Sequence, residues 1–184
     1  MELELMKKTL ILTTALLTLV TAIPNYSYAE SEKHFITNNN EISTPDIQYR
    51  FIDVVKKYQI ESPEQWNEVQ KRLIYKKRGK DLKSLNFSGD VQNWVGNVKR
   101  ISTFGDDVFL RIEIAHDIIL FVSADIEDEI VEKISPLQDG QQIIFSGKLK
   151  PDSSAGFDEV SFTTDGGLTE PEFKFTLTDI QTLN

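Results

Sequence analysis

The sequence predicts a mainly β protein with helices: a five-stranded barrel preceded by an N-terminal pair of amphipathic helices. Three observations carry this reading. Apolar residues recur at helical spacing before Ser84 and at a spacing of two after it. Glycines at 89 and 96 interrupt the first extended run, as in strands that bend at a barrel corner. After Ser84 the elements come in the order three strands, one short helix, two strands.

The first residues read as an export signal. Lys7 and Lys8 form a basic start, Thr9 to Ile23 is an uncharged apolar stretch, and Ser27-Tyr28-Ala29 offers small residues to a signal peptidase. The apolar stretch is shorter than the roughly 20 residues a membrane span needs. Residues 1–29 are therefore expected to be a secretory signal, cut after Ala29. The mature chain is then periplasmic or secreted, with no membrane span. Residues 30–43 are polar, with Asn38 to Asn40, and read as a flexible leader.

Residues 44–84 read as a helical segment. Thr44-Pro45 is a start signal, and Ile47, Phe51, Val54, Val55 and Tyr58 follow at helical spacing. Ser62-Pro63 repeats the signal with Gln65 in the capping-box position. The helices are placed at about 45–58 and 63–78, the second burying Trp66, Val69 and Leu73. The second helix ends in a basic run of Lys71, Arg72, Lys76, Lys77, Arg78, Lys80 and Lys83.

Residues 85–184 read as the barrel. Phe87 to Ser102 is a long bent strand. Val108, Leu110, Ile112 and Ile114 alternate with polar or outward residues, which marks a half-buried strand. His116-Asp117 is a hairpin turn, and Ile118 to Val122 is an apolar run covered on both faces. Asp125 opens a short helix through Ile126, Ile130 and Ile134, and Ser135-Pro136 stops it. A turn at Asp139-Gly140 leads to a strand with Ile143, Phe145, Gly147 and Leu149, and the last strand holds Phe173, Phe175 and Leu177. A helix between strands three and four of five is the OB-fold arrangement. A β-sandwich is the alternative, but it wants about seven strands.

Trp94-Val95-Gly96-Asn97-Val98 and the stretch from Gln138 to Gly147 resemble the first and fourth strands of small exported bacterial OB-fold proteins of uncharacterised function. The stretch from Gly167 to Phe175, with Asp179-Ile180, is similar to the same set. The likeness spans about residues 63 to 184. It implies the fold and supplies no catalytic residues.

Charge divides the chain. Residues 30–84 carry 11 basic and 9 acidic groups, whereas residues 85–184 carry 7 and 18. The basic run is expected to dock on the acidic barrel or to meet an acidic partner. With no Cys and two His there is no disulfide, no thiol nucleophile and no His-rich metal site, so no cofactor and no metal are expected. His116 and Asp117, adjacent on a turn, are expected to point apart, and the acidic run from Asp125 to Glu132 matches a helix N-terminus rather than a calcium loop.

The candidate partner-binding residues are Phe104, Phe109, Arg111, Phe157 and Phe162. In OB folds the first and last inter-strand loops flank the ligand face, and these aromatics fall in or beside those loops. The expected function is a non-enzymatic binding module for a protein or peptide. A glycan binder stacking sugars on Trp94 and the loop aromatics is the alternative. Nucleic acid is not expected, because an acidic barrel repels phosphate. N-terminal sequencing of the exported protein should find Glu30 first; an intact Met1 or Met6 would contradict the signal.

Overall fold

The computed structural model describes residues 44–183, and the expected signal and leader lie outside them. Helix α1 is Asp46–Lys57 and α2 is Glu68–Ser84. The strands are β1 Asp90–Phe104, β2 Asp107–Ala115 and β3 Ile118–Asp125, then helix α3 Glu129–Ile134 and strand β4 Gln142–Leu149. A small hairpin, β5 Pro151–Asp152 and β6 Gly156–Phe157, precedes helix α4 Thr164–Thr169 and the last strand, β7 Glu172–Thr182. Among the described residues no helix is long and apolar enough to cross a membrane.

The five long strands close into a barrel in the order β1-β2-β3-β7-β4, with β3 and β7 parallel and the other pairs antiparallel. With α3 between β3 and β4, this is the OB topology. β1 closes the barrel by serving two partners. Its first part pairs with β4 and its second with β2, and register shifts at Val91/Trp94 and Val98/Arg100 mark the bends. Gly96 sits where the walls come close together. A Cβ there would meet Ile112 Cγ2 at 2.7 Å, so only glycine fits.

Helix α1 caps one end of the barrel. Phe51 lies 5.5 Å from the Trp94 ring, 5.9 Å from Phe157 and 5.1 Å, edge-on, from Phe173. Phe87 stacks on Trp94 from another side. Gln48 acts as a short piece of strand: Val95 N–H donates to its Oε1 at 2.9 Å, and its Nε2 donates to Val95 O at 2.6 Å. A buried strand backbone is thereby satisfied by a side chain, which is why a polar residue stands on the inner face of α1.

Helix α2 docks by the face opposite to the one expected. Pro63–Gln65 forms only a single 3-10 turn, and α2 begins after Asn67. Asn67 and Gln70 form the capping box: Gln70 N–H donates to Asn67 Oδ1, and Asn67 N–H donates to Gln70 Oε1. The buried residues of α2 are Lys71, Arg78, Gly79 and Leu82, while Trp66, Val69 and Leu73 face solvent at 40%, 68% and 52% exposure. The β4–β7 connection, residues 150–171, supplies the reason. It brings Asp165 to Lys71 at 2.7 Å and Glu159 to Arg78 at 2.6 Å. Arg78 also donates to Gly167 O, and its guanidinium lies 4.7 Å from the Tyr75 ring centre. Gly79 lets the two backbones touch, since a Cβ there would meet Ser154 O at 2.6 Å.

The Arg78–Glu159 pair is wholly inside the protein, with side chains 0% and 3% exposed. Burial pushes the Glu159 carboxyl above its ordinary range and Arg78 pulls it back. Burial, with Glu159 alongside, also pushes the Tyr75 hydroxyl up to about 12. The helical segment thus packs on the barrel's own connection, held by one interior ion pair, Arg78–Glu159, and one at the surface, Lys71–Asp165.

Two outcomes follow for chemical denaturation. Trp94→Ala and Phe145→Ala, both at fully buried positions, should each cost about 3–5 kcal/mol, and Trp66→Ala less than about 1 kcal/mol. Arg78→Ala strands a buried carboxylate and should cost about 3–5 kcal/mol, whereas Arg78→Met combined with Glu159→Leu should cost much less. Equal losses for Arg78→Ala and the double variant would mean that the pair's charge is irrelevant to stability.

Candidate partner-binding face

The outer face of β2 and β3 and the β1–β2 turn bring together three of the five expected residues. The turn Phe104 to Asp107 reverses through Gly105 at φ +60°, in the left-handed region that favours glycine. It leaves Phe104 81% exposed at the tip. On the strands, alternation sends Val108, Leu110 and Ile112 inward and Phe109 and Arg111 outward. Phe109 stacks on Phe121 of β3 with ring centres 5.7 Å apart. The Arg111 guanidinium lies 5.2 Å from the Phe121 ring centre, and its Nε donates to Glu172 Oε1 at 2.8 Å. The face therefore runs from an exposed aromatic tip, through a half-buried aromatic pair, to an ion pair.

Sequence reasoning missed Phe121 and Ile126. The run Ile118 to Val122 reads as covered on both faces, which hides Phe121. A hairpin centred on His116-Asp117 sets Arg111 opposite Phe121 and Phe109 opposite Ser123, so the hairpin register was the signal that finds it. Ile126 was placed inside α3, but the helix starts at Glu129 and Ile126 stands 52% exposed. Its N–H donates to Asp106 O at 2.8 Å, which fixes it beside the β1–β2 turn.

The other two expected residues lie elsewhere. Phe157 is 3% exposed and packs against Phe51 and Phe87 inside the core. It is turned in because Asp152 holds the β5–β6 hairpin closed, accepting from Ser154 Oγ and from the N–H groups of Ala155 and Ser154. These bonds push the Asp152 carboxyl down to about 2. A shallow cleft of about 300 Å³ opens beside this hairpin, lined by Leu82, Phe87 and Phe157 among others. Phe162 is fully exposed, just before α4. Its neighbour Val160 bonds to Glu172, which pairs with Ile119. Phe162 is thus tethered near the start of β3 and Phe104 near its end, with about 20 Å of strand between those anchor points. Trp94, the proposed sugar platform, is buried and belongs to the core.

Electrostatics separates the two ends of the face. Around the β1–β2 turn Asp106, Asp107, Asp125, Glu127, Asp128 and Glu129 are all exposed, and none is ion-paired among the described residues. At the β2–β3 turn, Asp117 takes a left-handed φ of +56°. Its carboxylate meets His116 Nε2 at 3.1 Å, so these side chains converge rather than diverge as expected. Glu113, His116 and Asp117 stand close enough to share an ion. A cation is already there: Lys99 Nζ lies 2.6 Å from Glu170, 3.5 Å from Glu113 and 3.9 Å from Asp117.

No protein-family model and no curated protein matches the chain. Among solved structures it is similar to a chain of the Stn1-Ten1 complex of S. pombe, at 17% identity and TM-score 0.34, covering 51% of this chain and 58% of that one. It is also similar to an OBody bound to hen egg-white lysozyme, at 14% identity and TM-score 0.37, covering 54% and 84%. A third similarity is to asparaginyl-tRNA synthetase of Entamoeba histolytica, at 15% identity and TM-score 0.35, covering 53% and 21%. The OB assignment rests on strand order, not on these.

Proposed function

We propose that this chain is an exported, non-enzymatic OB-fold binding module that meets a protein or peptide partner through the β1–β2 turn and the outer face of β2 and β3. The observation that carries the reading is the row Phe104, Phe109, Phe121 and Arg111, ordered on rigid strands beside an exposed Ile126. Exposed aromatics and an Arg next to a preformed sheet are what protein interfaces use as anchors. The six unpaired carboxylates around the turn favour a partner segment with basic residues and disfavour phosphate.

Export is supported by the three-part signal in residues 1–29. A glycan would have to stack on the Phe109–Phe121 pair or on Phe104, because Trp94 and Phe157 are committed to the core. The protein reading needs no such platform and uses the charged rim as well.

The test is affinity capture from a cell-envelope extract with the wild-type chain and with Phe104→Ser, Ile126→Ser and Arg111→Gln. Each change lies at an exposed or half-buried position, so denaturation midpoints should stay near wild type for the first two. A polypeptide held by the wild type should be held at least about tenfold more weakly by Phe104→Ser. A nucleic acid or glycan recovered instead, or retention indifferent to all three changes, would refute the proposal.

A further inference from the structure

The outward face of α2 has no role in the site above. With 3.6 residues per turn, Val69, Arg72, Leu73, Lys76, Lys77 and Lys80 fall on one half of the helix, and all six are exposed. Trp66, just before the helix, adds an aromatic side chain 40% exposed. Arg72, Lys76, Lys77 and Lys80 have no ion-pair partner among the described residues. Two nearby acids are engaged elsewhere, Glu68 with Lys71 at 3.1 Å and Asp81 with Lys57 at 2.8 Å and Tyr58 at 2.7 Å, while Glu61 and Glu64, ahead of Trp66, are exposed and off the helix. The opposite face is locked by Arg78 and Lys71, so this stripe cannot turn inward.

We propose that this face of α2 is a docking surface for an anionic phospholipid bilayer. The apolar side chains and the cations share one side of α2 rather than lying on opposite faces, so attraction of the four cations to anionic lipid carries the contact and Trp66, Val69 and Leu73 add apolar contact at one end. The apolar side chains enter the headgroup boundary while the cations meet lipid phosphate. An acidic peptide would satisfy the cations but would offer Trp66, Val69 and Leu73 no apolar depth. The barrel that follows, with 7 basic and 18 acidic residues after Ser84, is repelled by the same surface. Attraction is therefore confined to α2, and the molecule has one preferred orientation on the lipid.

The chain supplies its own reporter. It has two Trp residues, Trp94 in the core and Trp66 beside the stripe, so only Trp66 should change environment on docking. The experiment uses the chain from Glu30 onward, which contains every described residue. It is mixed with vesicles of phosphatidylcholine alone or with about one third phosphatidylglycerol, and partitioning and Trp emission are read together. Expected is co-sedimentation with the anionic vesicles, a blue shift of Trp66 emission, and weakening as salt rises. Each cation replaced by Gln should loosen binding about fivefold, so R72Q/K76Q/K77Q/K80Q should lose at least about a hundredfold. V69S/L73S should lose the blue shift. These positions are exposed, so both variants should keep the wild-type denaturation midpoint. Equal partitioning into neutral vesicles, partitioning without a Trp66 shift, or partitioning unchanged in the fourfold variant would overturn the proposal. So would soluble polyglutamate producing the same Trp66 shift and displacing the vesicles, which would assign the face to an acidic polypeptide.

Discussion

A single interior ion pair, Arg78 with Glu159, sets how the helical segment and the barrel fit together. Two charges removed from water cost several kcal/mol each unless their remaining valences are met. Here they are met only in part: the Gly167 carbonyl accepts from Arg78 and the rings of Tyr75 and Phe173 lie beside the guanidinium, but Arg78 Nε and Glu159 Oε2 have no hydrogen-bond partner among the described residues. The arrangement tolerates little rotation. With Arg78 pinned, the 3.6-residue period dictates that Gly79 and Leu82 face the barrel and that Val69, Leu73 and Lys76 face away. The same contact holds the long β4–β7 connection against α2. A segment that long would otherwise be the loosest part of an OB fold.

The resulting surface is divided by sign. Glu159, Asp165 and Glu68 neutralise the cations on one side of α2, leaving the other side positive. The exposed carboxylates cluster around the β1–β2 turn, where no Lys or Arg answers them among the described residues. Two surfaces of opposite charge on one small molecule suit two different kinds of contact. The chain's strong net negative charge hides this, because it averages over both.

The barrel was legible because its signals are local. Alternation in β2, the turn residues at His116-Asp117 and Asp139-Gly140, and a corner glycine at position 96 each depend on a few neighbours. The rotation of α2 was not legible. Trp66, Val69 and Leu73 form the more apolar stripe, and helical periodicity points to them as the buried face. What reverses the choice is a pair of acids, Glu159 and Asp165, more than eighty residues downstream of the cations they meet. No local rule weighs a partner at that distance. Phe157 and Phe162 pose the same problem. Both lie in one polar, Gly-containing stretch, and only the carboxylate of Asp152 closing a hairpin decides that the first is inside. Phe104, by contrast, sits at the apex of a recognisable two-strand turn, and its exposure was readable.

The edge contact between Phe51 and Phe173 joins the first described helix to the last strand. A polypeptide is always delivered N-terminus first, from a ribosome or through a translocation pore. Phe51, Ile52 and Val55 therefore emerge early, and Phe51, which can meet Trp94 first, lacks its last partner until β7 arrives at the very end. Native contacts so far apart in sequence lower the folding rate, because the loop must close before any burial rewards it. Until then α1 is only partly covered and the β3 edge that awaits β7 is bare. The closure that makes the finished barrel free of edges thus leaves its precursor with a window in which a chaperone, or another copy of the chain, can reach it.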